Sequence, residues 1–250
     1  MWPSRSESLT QGGQAVQHRS VFPTPTFRKF NVPAHLERDL IEFYQVSPHF
    51  PLSSLSSYRT ELKQLLGVYI LFYRGPFELY LDISMLNQET PTKPIYVGKA
   101  VSGGSRTGIS TSKSSLYDRL SEHRSSIRAA QTTLSVDDFG VKVVPMDFDL
   151  VQWAEAVLIR RLRPLWNSKL SGFGIHGPGG GRNEQGQSIW DQIHPGRSFT
   201  RKMPNLTPFH HADLRTHLQA TLGVDLEVKS SELEPSAAIL EGKNSTLEPE

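Results

Sequence analysis

Two short runs, each joining a glycine to a tyrosine within an apolar stretch, constrain this chain more than anything else in its sequence. Gly67-Val68-Tyr69 heads the run GVYILFYR, and Tyr96-Val97-Gly98 leads into Lys99 within KPIYVGK. Valine and tyrosine favour the pleated backbone, so both runs read as strands. Neither says much alone. Their weight comes from four residues further along the chain: Arg119 and His123 one helical turn apart, Glu155 on a second helix, and Asn167 just beyond that helix.

The pattern around these runs gives a coarse architecture. Pro33 to Tyr44 reads as a helix, with Leu36, Leu40, Ile41 and Phe43-Tyr44 as its apolar stripe and proline at its start. The stretch SSLSSYRTELKQLL is a shorter second helix. Gly67–Arg74 and Phe77–Asp82 read as strands joined by a hairpin at Gly75-Pro76, and Pro94–Lys99 is the third strand. Ser114–Ala130 is a helix, Val141–Met146 a strand, and Asp149–Arg163 a helix. Asp149 and Gln152 give that last helix a capping-box-like start, and Pro164 stops it. Pro208–Leu222 reads as a final helix. The expected fold is therefore α/β: a small mixed, mostly antiparallel sheet flanked by helices, with an N-terminal arm and a C-terminal extension. The expected organisation is a disordered segment 1–20, an arm with helices over 21–66, a principal domain over 67–224 and a disordered tail over 225–250.

Composition narrows the classes. A hydrophobic content of 37% and a charged content of 21% are ordinary for a globular protein. No apolar stretch approaches the ~18–20 residues that span a bilayer, and the first residues lack an apolar secretory core, so no membrane partner and a cytoplasmic location are expected. The absence of cysteine excludes disulfides, thiolate metal sites and a cysteine nucleophile. The net charge of +2 is unevenly spread. Residues 225–250 carry seven acids against Lys229 and Lys243, leaving 25 basic and 18 acidic side chains before them. A basic body suits a phosphate-bearing partner.

Helical geometry places the candidate residues. At about 100° per residue, His123 falls on the same face as Leu116, Leu120 and Ile127, and Arg119 flanks it. A histidine there fits a core residue satisfied by a tyrosine hydroxyl. The neighbouring arginine needs an anion if it is even partly buried, and a scissile phosphate would supply one. Glu155 falls at the margin of the Leu150, Trp153, Val157 stripe, where a carboxylate can either face solvent or line a cleft and bind a hard divalent cation. Other apparent motifs carry less. Gly172 to Gly177 matches G-x-G-x-x-G but comes after a helix and runs into prolines and glycines, so it reads as a loop and no nucleotide cofactor is expected. His210 and His217 lie about 10 Å apart along a helix, too far to share a zinc ion.

The ordered set Tyr69, Tyr96, Arg119, His123, Glu155 and Asn167 resembles the GIY-YIG nuclease superfamily. The four-residue step from Arg119 to His123 and the twelve-residue step from Glu155 to Asn167 resemble its restriction-endonuclease branch, which cuts GC-rich palindromic duplex DNA. The resemblance covers roughly residues 67–200. It departs from the family in carrying valine at the centre of both tripeptides, and in a 27-residue step from Tyr69 to Tyr96 that the Phe77–Asp82 strand would fill. It implies phosphodiester hydrolysis of double-stranded DNA by a homodimer, with Mg²⁺, or Mn²⁺ in its place, held by Glu155. It further implies that Tyr69 handles the proton of the attacking water, with Lys99 and His123 as alternative bases. Arg119 would hold the phosphate, and Tyr96 and Asn167 would orient phosphate and water. Base reading is expected from Arg106 and Lys113 in the Ser102–Ser115 loop, and from Arg182, His194 and Arg197, since arginine can read guanine through two hydrogen bonds. The rival readings are a non-catalytic DNA-binding protein and a structure-selective or homing-type nuclease of the same superfamily.

Overall fold

The structure, a computed structural model, describes residues 32–101, 114–175 and 186–204. Four strands form one sheet in the order β1-β4-β2-β3, where β1 is His49–Pro51, β2 Gly67–Tyr73, β3 Pro94–Ala100 and β4 Phe139–Pro145. Every pairing among the described residues is antiparallel, so the sheet contains none of the expected mixture. β2 lies between β4 and β3, and all seven of its residues are buried. Strand alternation divides them between two cores. Tyr69, Leu71 and Tyr73 join one cluster with residues of α4 (Leu116–Ala129), α6 (Leu165–Ser168) and α7 (Ile189–Ile193). Val68, Ile70 and Phe72 join the other, with α1 (Ala34–Val46) and α5 (Phe148–Leu162). A strand covered on both faces reads as a continuous apolar run, which is why GVYILFY has no polar alternation.

Both motif glycines have steric causes. Gly67 sits at φ +150°, and a Cβ there would lie 2.3 Å from the Val144 carbonyl oxygen. Gly98 faces Tyr69 across the β2–β3 ladder, and its missing Cβ would lie 2.4 Å from the Tyr69 hydroxyl. The second tripeptide therefore needs glycine because the first carries tyrosine.

Phe77–Asp82 is not a strand. A 3₁₀ turn over Glu78–Tyr80 leads into α3, Leu81–Leu86. The apolar residues there recur at helical spacing, with Tyr80 and Ile83 buried, a pattern that so short a window does not separate from strand alternation. Tyr80 packs edge-on against Tyr73, and the Phe77 amide donates to the Tyr73 hydroxyl at 3.0 Å. Fully buried Asn87 closes the connection. Its amide donates to the carbonyls of Tyr73 and Lys93 at 3.0 and 2.8 Å, and its oxygen accepts from Thr92 and Lys93 at 2.9 and 2.8 Å. The fourth strand is instead β1, three residues that carry no recognisable period.

The stretch expected as one helix before Gly67 is a 3₁₀ helix, Leu52–Tyr58, continued by α2, Arg59–Leu62. α4 starts at a capping box in which the Asp118 amide donates to the Ser115 hydroxyl at 3.2 Å. α5 begins after Asp147, which makes no side-chain cap, so the expected Asp149–Gln152 box is absent. It ends at Arg163 in the left-handed region, φ 44°, immediately before Pro164. On the α1 side of the sheet the Lys142 ammonium, 7% exposed, donates to the Tyr44 and Gln45 carbonyls at 3.3 and 2.9 Å, tying the end of α1 to β4. The expected helix over Pro208–Leu222 lies outside the described residues. Among those described, no helix is long and apolar enough to cross a membrane.

Replacing Gly98 with alanine should force the Tyr69 ring out of place, because the new methyl would meet its hydroxyl and ring carbons at 2.4–2.8 Å. Overpacking of this kind should lower the unfolding free energy by about 1–3 kcal/mol, measured as a lower urea midpoint. A midpoint equal to that of the parent protein would show that the pocket over Gly98 is not tight.

Candidate active site

The site grows from β2, β3 and the inner face of α4. The Tyr69 hydroxyl lies 2.7 Å from His123 Nε2, and both residues are fully buried. His123 occupies the apolar face of α4 beside Leu120 and Ile127, as the helical wheel requires. The ring of Tyr96, 9% exposed, stands edge-on to His123 at 5.1 Å and lies 6.3 Å from Tyr69. Arg119, one turn before His123, keeps 24% of its side chain exposed and pairs with Glu122.

Burial pushes the Tyr69 phenol well above its ordinary pKa, Tyr96 adds to the shift, and the Arg119 charge opposes it. Tyr96 is pushed up to about 12, again by burial first, with Arg119 pulling it down and Glu155 pushing it up. Burial works against the charge of Arg119, yet Tyr69 and Glu122 raise its pKa above the usual arginine value. Both phenols are therefore neutral at physiological pH. A neutral Tyr69 hydroxyl can donate to His123 Nε2 or accept from it, according to the tautomer of the imidazole.

Glu155 stands at the margin of α5, where the sequence places it. Its carboxylate lies 2.6 Å from the Lys99 ammonium, with side-chain exposures of 17% and 27%, and Lys99 also donates to Gln152. The field of Glu155 reaches both tyrosines. No cluster of three or more metal-type ligands occurs among the described residues. One carboxylate suffices for a Mg²⁺ ion that keeps several waters and shares phosphate oxygens, and the Lys99 ammonium marks this carboxylate as a place for a cation. The donor set fits such an ion.

The other expected site residues divide. Asn167 binds the backbone of Val97, the residue between Tyr96 and Gly98. Its oxygen accepts from the Val97 amide and its amide donates to the Val97 carbonyl, both at 2.8 Å. It thus holds the edge strand that carries Tyr96, which differs from the expected role of orienting water. His194 and Arg197 cannot contact DNA bases. His194 is fully buried between the Tyr80 hydroxyl at 2.6 Å and the Thr133 hydroxyl at 2.8 Å, and burial lowers its pKa to about 3. Arg197, 3% exposed, is paired with Asp191 inside the C-terminal extension. Basic residues near a glycine-rich stretch read as surface, but here aromatic rings cover them, Phe77 and Trp190 over His194 and Trp190 and Phe199 over Arg197. Arg106, Lys113 and Arg182 lie outside the described residues. Phe173, stacked on His123 at 4.4 Å, is a neighbour of the site that no pattern in the sequence singles out. Its only signal is a large aromatic residue inside a glycine-rich loop.

Residues 61–222 match the family model described as the Eco29kI GIY-YIG domain, well over half of the chain. No curated protein matches it.

A buried neutral histidine makes stability depend on pH. With a folded pKa of about 3 against an unfolded value of about 6.5, the unfolded chain binds a proton that the folded chain refuses throughout that window. The contribution of His194 is fully present above about pH 6.5 and is lost as pH falls toward 3, with a limiting slope of about 1.4 kcal/mol per pH unit. Urea unfolding from pH 7 to pH 4 should show this loss, and His194→Gln should flatten it. Equal slopes in the two proteins would overturn the assignment.

Proposed function

The chain belongs to the Eco29kI GIY-YIG family of restriction-type DNA endonuclease domains, and from that membership we propose a type II restriction endonuclease that hydrolyses double-stranded DNA at a palindromic, GC-rich site. A palindrome calls for a two-fold protein, so the acting species is a homodimer, and its cofactor is Mg²⁺ at Glu155. The observation that carries the chemistry is the 2.7 Å contact between Tyr69 and His123, with the Arg119 guanidinium beside it.

The geometry supports the following division of roles. Ionising Tyr69 outright is costly, because burial raises its pKa well above that of a free phenol. The cheaper route moves two protons together. With His123 as its Nδ1–H tautomer, the Tyr69 oxygen takes the proton of the attacking water while its own proton passes to His123 Nε2. Once substrate binding admits water to the fully buried Tyr69 hydroxyl, Tyr69 is the first proton acceptor and His123 behind it the eventual one. Lys99 is less suited, since an ammonium engaged with Glu155 and Gln152 has no lone pair to accept a proton. Arg119 binds the scissile phosphate, exchanging Glu122 for an anion whose charge grows in the transition state. Tyr96, at the surface of the pair, orients the phosphate. Glu155 would hold the metal ion, which would supply charge to polarise the phosphate and stabilise the leaving oxygen. Base reading falls to Arg106, Lys113 and Arg182.

Incubation of the protein with plasmid DNA and Mg²⁺ should give discrete fragments with one end sequence. Glu155→Ala should abolish cleavage and leave duplex binding intact in a gel-shift assay, whereas full activity would remove the metal role. Tyr69→Phe keeps the ring and should fold normally, but its single-turnover cleavage should fall by at least ~10²-fold, the low end of general acid–base effects. A Phe variant cutting within a few-fold of the parent would move the base role to Lys99 or His123. Single-turnover conditions matter because slow product release can hide a damaged chemical step.

A further inference from the structure

The Arg197 guanidinium has five N–H donors, and each one is used. Nε and Nη2 donate to the two oxygens of Asp191, both at 2.7 Å. Nη2 also donates to the Gly172 carbonyl at 2.9 Å, and Nη1 donates to the Phe173 and Ile175 carbonyls at 3.2 and 2.8 Å. The rings of Trp190 and Phe199 lie 4.7 and 4.8 Å from the guanidinium carbon. Three carbonyls of one short loop can converge on a single cation because the chain folds back at Gly172, whose φ of +118° suits glycine.

That loop reaches the tyrosine–histidine pair at two points. Phe173, fully buried, lies 4.4 Å from His123 at an interplanar angle of 18°, and edge-on to Tyr96 at 4.9 Å. Gly174 presses its backbone against the Tyr96 phenol, so that a Cβ there would lie 2.7 Å from the hydroxyl. A hydrogen bond at Nε2 fixes the position of an imidazole better than it fixes the tilt of its plane. The flat face of Phe173 restricts that tilt, and the transfer from Tyr69 depends on the alignment of the bond.

We propose that the Gly172–Ile175 loop, gathered around Arg197, is a positioning element of the nuclease site: Phe173 sets the plane of His123, and Gly174 sets the hydroxyl of Tyr96. The inference rests on the nuclease reading of the site and adds to it the part that fixes the reacting geometry. It gives the C-terminal extension a role in the rate of cleavage as well as in stability. A loop that served stability alone would alter activity only as far as it altered the folded fraction.

Phe173→Leu and Gly174→Ala test this with Arg197 left in place. Phe173→Leu keeps apolar bulk and loses the flat face. In the folded variant, duplex affinity should be unchanged and single-turnover cleavage slower by ~10-fold or more, as expected for a misaligned reacting pair. The ring protons of His123 should move downfield in NMR spectra as the ring current of the stacked phenyl is lost, and Phe173→Tyr should restore both rate and shift. Gly174→Ala adds one methyl 2.7 Å from the Tyr96 hydroxyl and should slow cleavage in the folded protein by more than any loss of stability accounts for. It also serves as the test if Phe173→Leu does not fold. Parent-like rates in the folded variants, or His123 shifts unmoved by loss of the phenyl ring, would overturn the proposal. The NMR measurement separates this failure from that of the nuclease reading, because it holds whether or not the parent protein cuts DNA.

Discussion

A phenol on the central strand of a covered sheet must find a partner for its hydroxyl or lose the free energy of its hydration. Tyr69 meets that requirement with His123, and much of the molecule is arranged around the pairing. The hydroxyl needs room, so the facing residue of β3 is Gly98. The histidine must point inward, so α4 crosses this face of the sheet with His123 among its apolar residues. The helix start must be fixed for His123 to arrive at the right depth, and the Ser115–Asp118 capping box does that. Arg119, one turn earlier, then falls beside the same phenol without any further device.

The charges around the pair share a logic. Arg119 is paired with Glu122 and Lys99 with Glu155, so each cation has a carboxylate that it can exchange. In the proposed reaction an incoming phosphate would compete for the first pair and a divalent cation for the second. The two exchanges would be complementary, since one would supply an anion for Arg119 and the other a cation for Glu155. The phenols between them are neutral, because burial outweighs the pull of Arg119 on Tyr69. This favours a proton relay over a standing phenolate.

The parts of the site that are legible in the sequence are those governed by a local period. β2, β3, α4 and α5 are readable from strand and helix patterns, and the wheel places His123 inward and Glu155 at a margin without tertiary information. What is not legible depends on contacts between distant segments. Phe77–Asp82 becomes helical because Tyr80 packs on Tyr73 and Asn87 bridges Tyr73 to Lys93, none of which a local window contains. Arg197 looks like a surface cation beside glycines. Only after α7 turns does Asp191 meet it, and only after Gly172 turns do three carbonyls meet it from the other side. His194 is misread for the same reason, its two partners lying far away on Tyr80 and Thr133.

The twelve-residue step from Glu155 to Asn167 has its own physical account. From Glu155, α5 runs to Leu162, which carries the chain away from the carboxylate. Arg163 in the left-handed conformation and Pro164 after it then turn the chain back, and the short helix Leu165–Ser168 brings Asn167 to the outer edge of β3. There its amide takes both backbone groups of Val97, standing in for a missing strand at an edge that would otherwise be open. Since Val97 lies between Tyr96 and Gly98, the same contact that closes the sheet edge also fixes the strand on which the second tyrosine depends. Glu155 and Tyr96 are thus held in register by one asparagine, through the backbone, and the spacing records the length of chain needed to leave α5 and return.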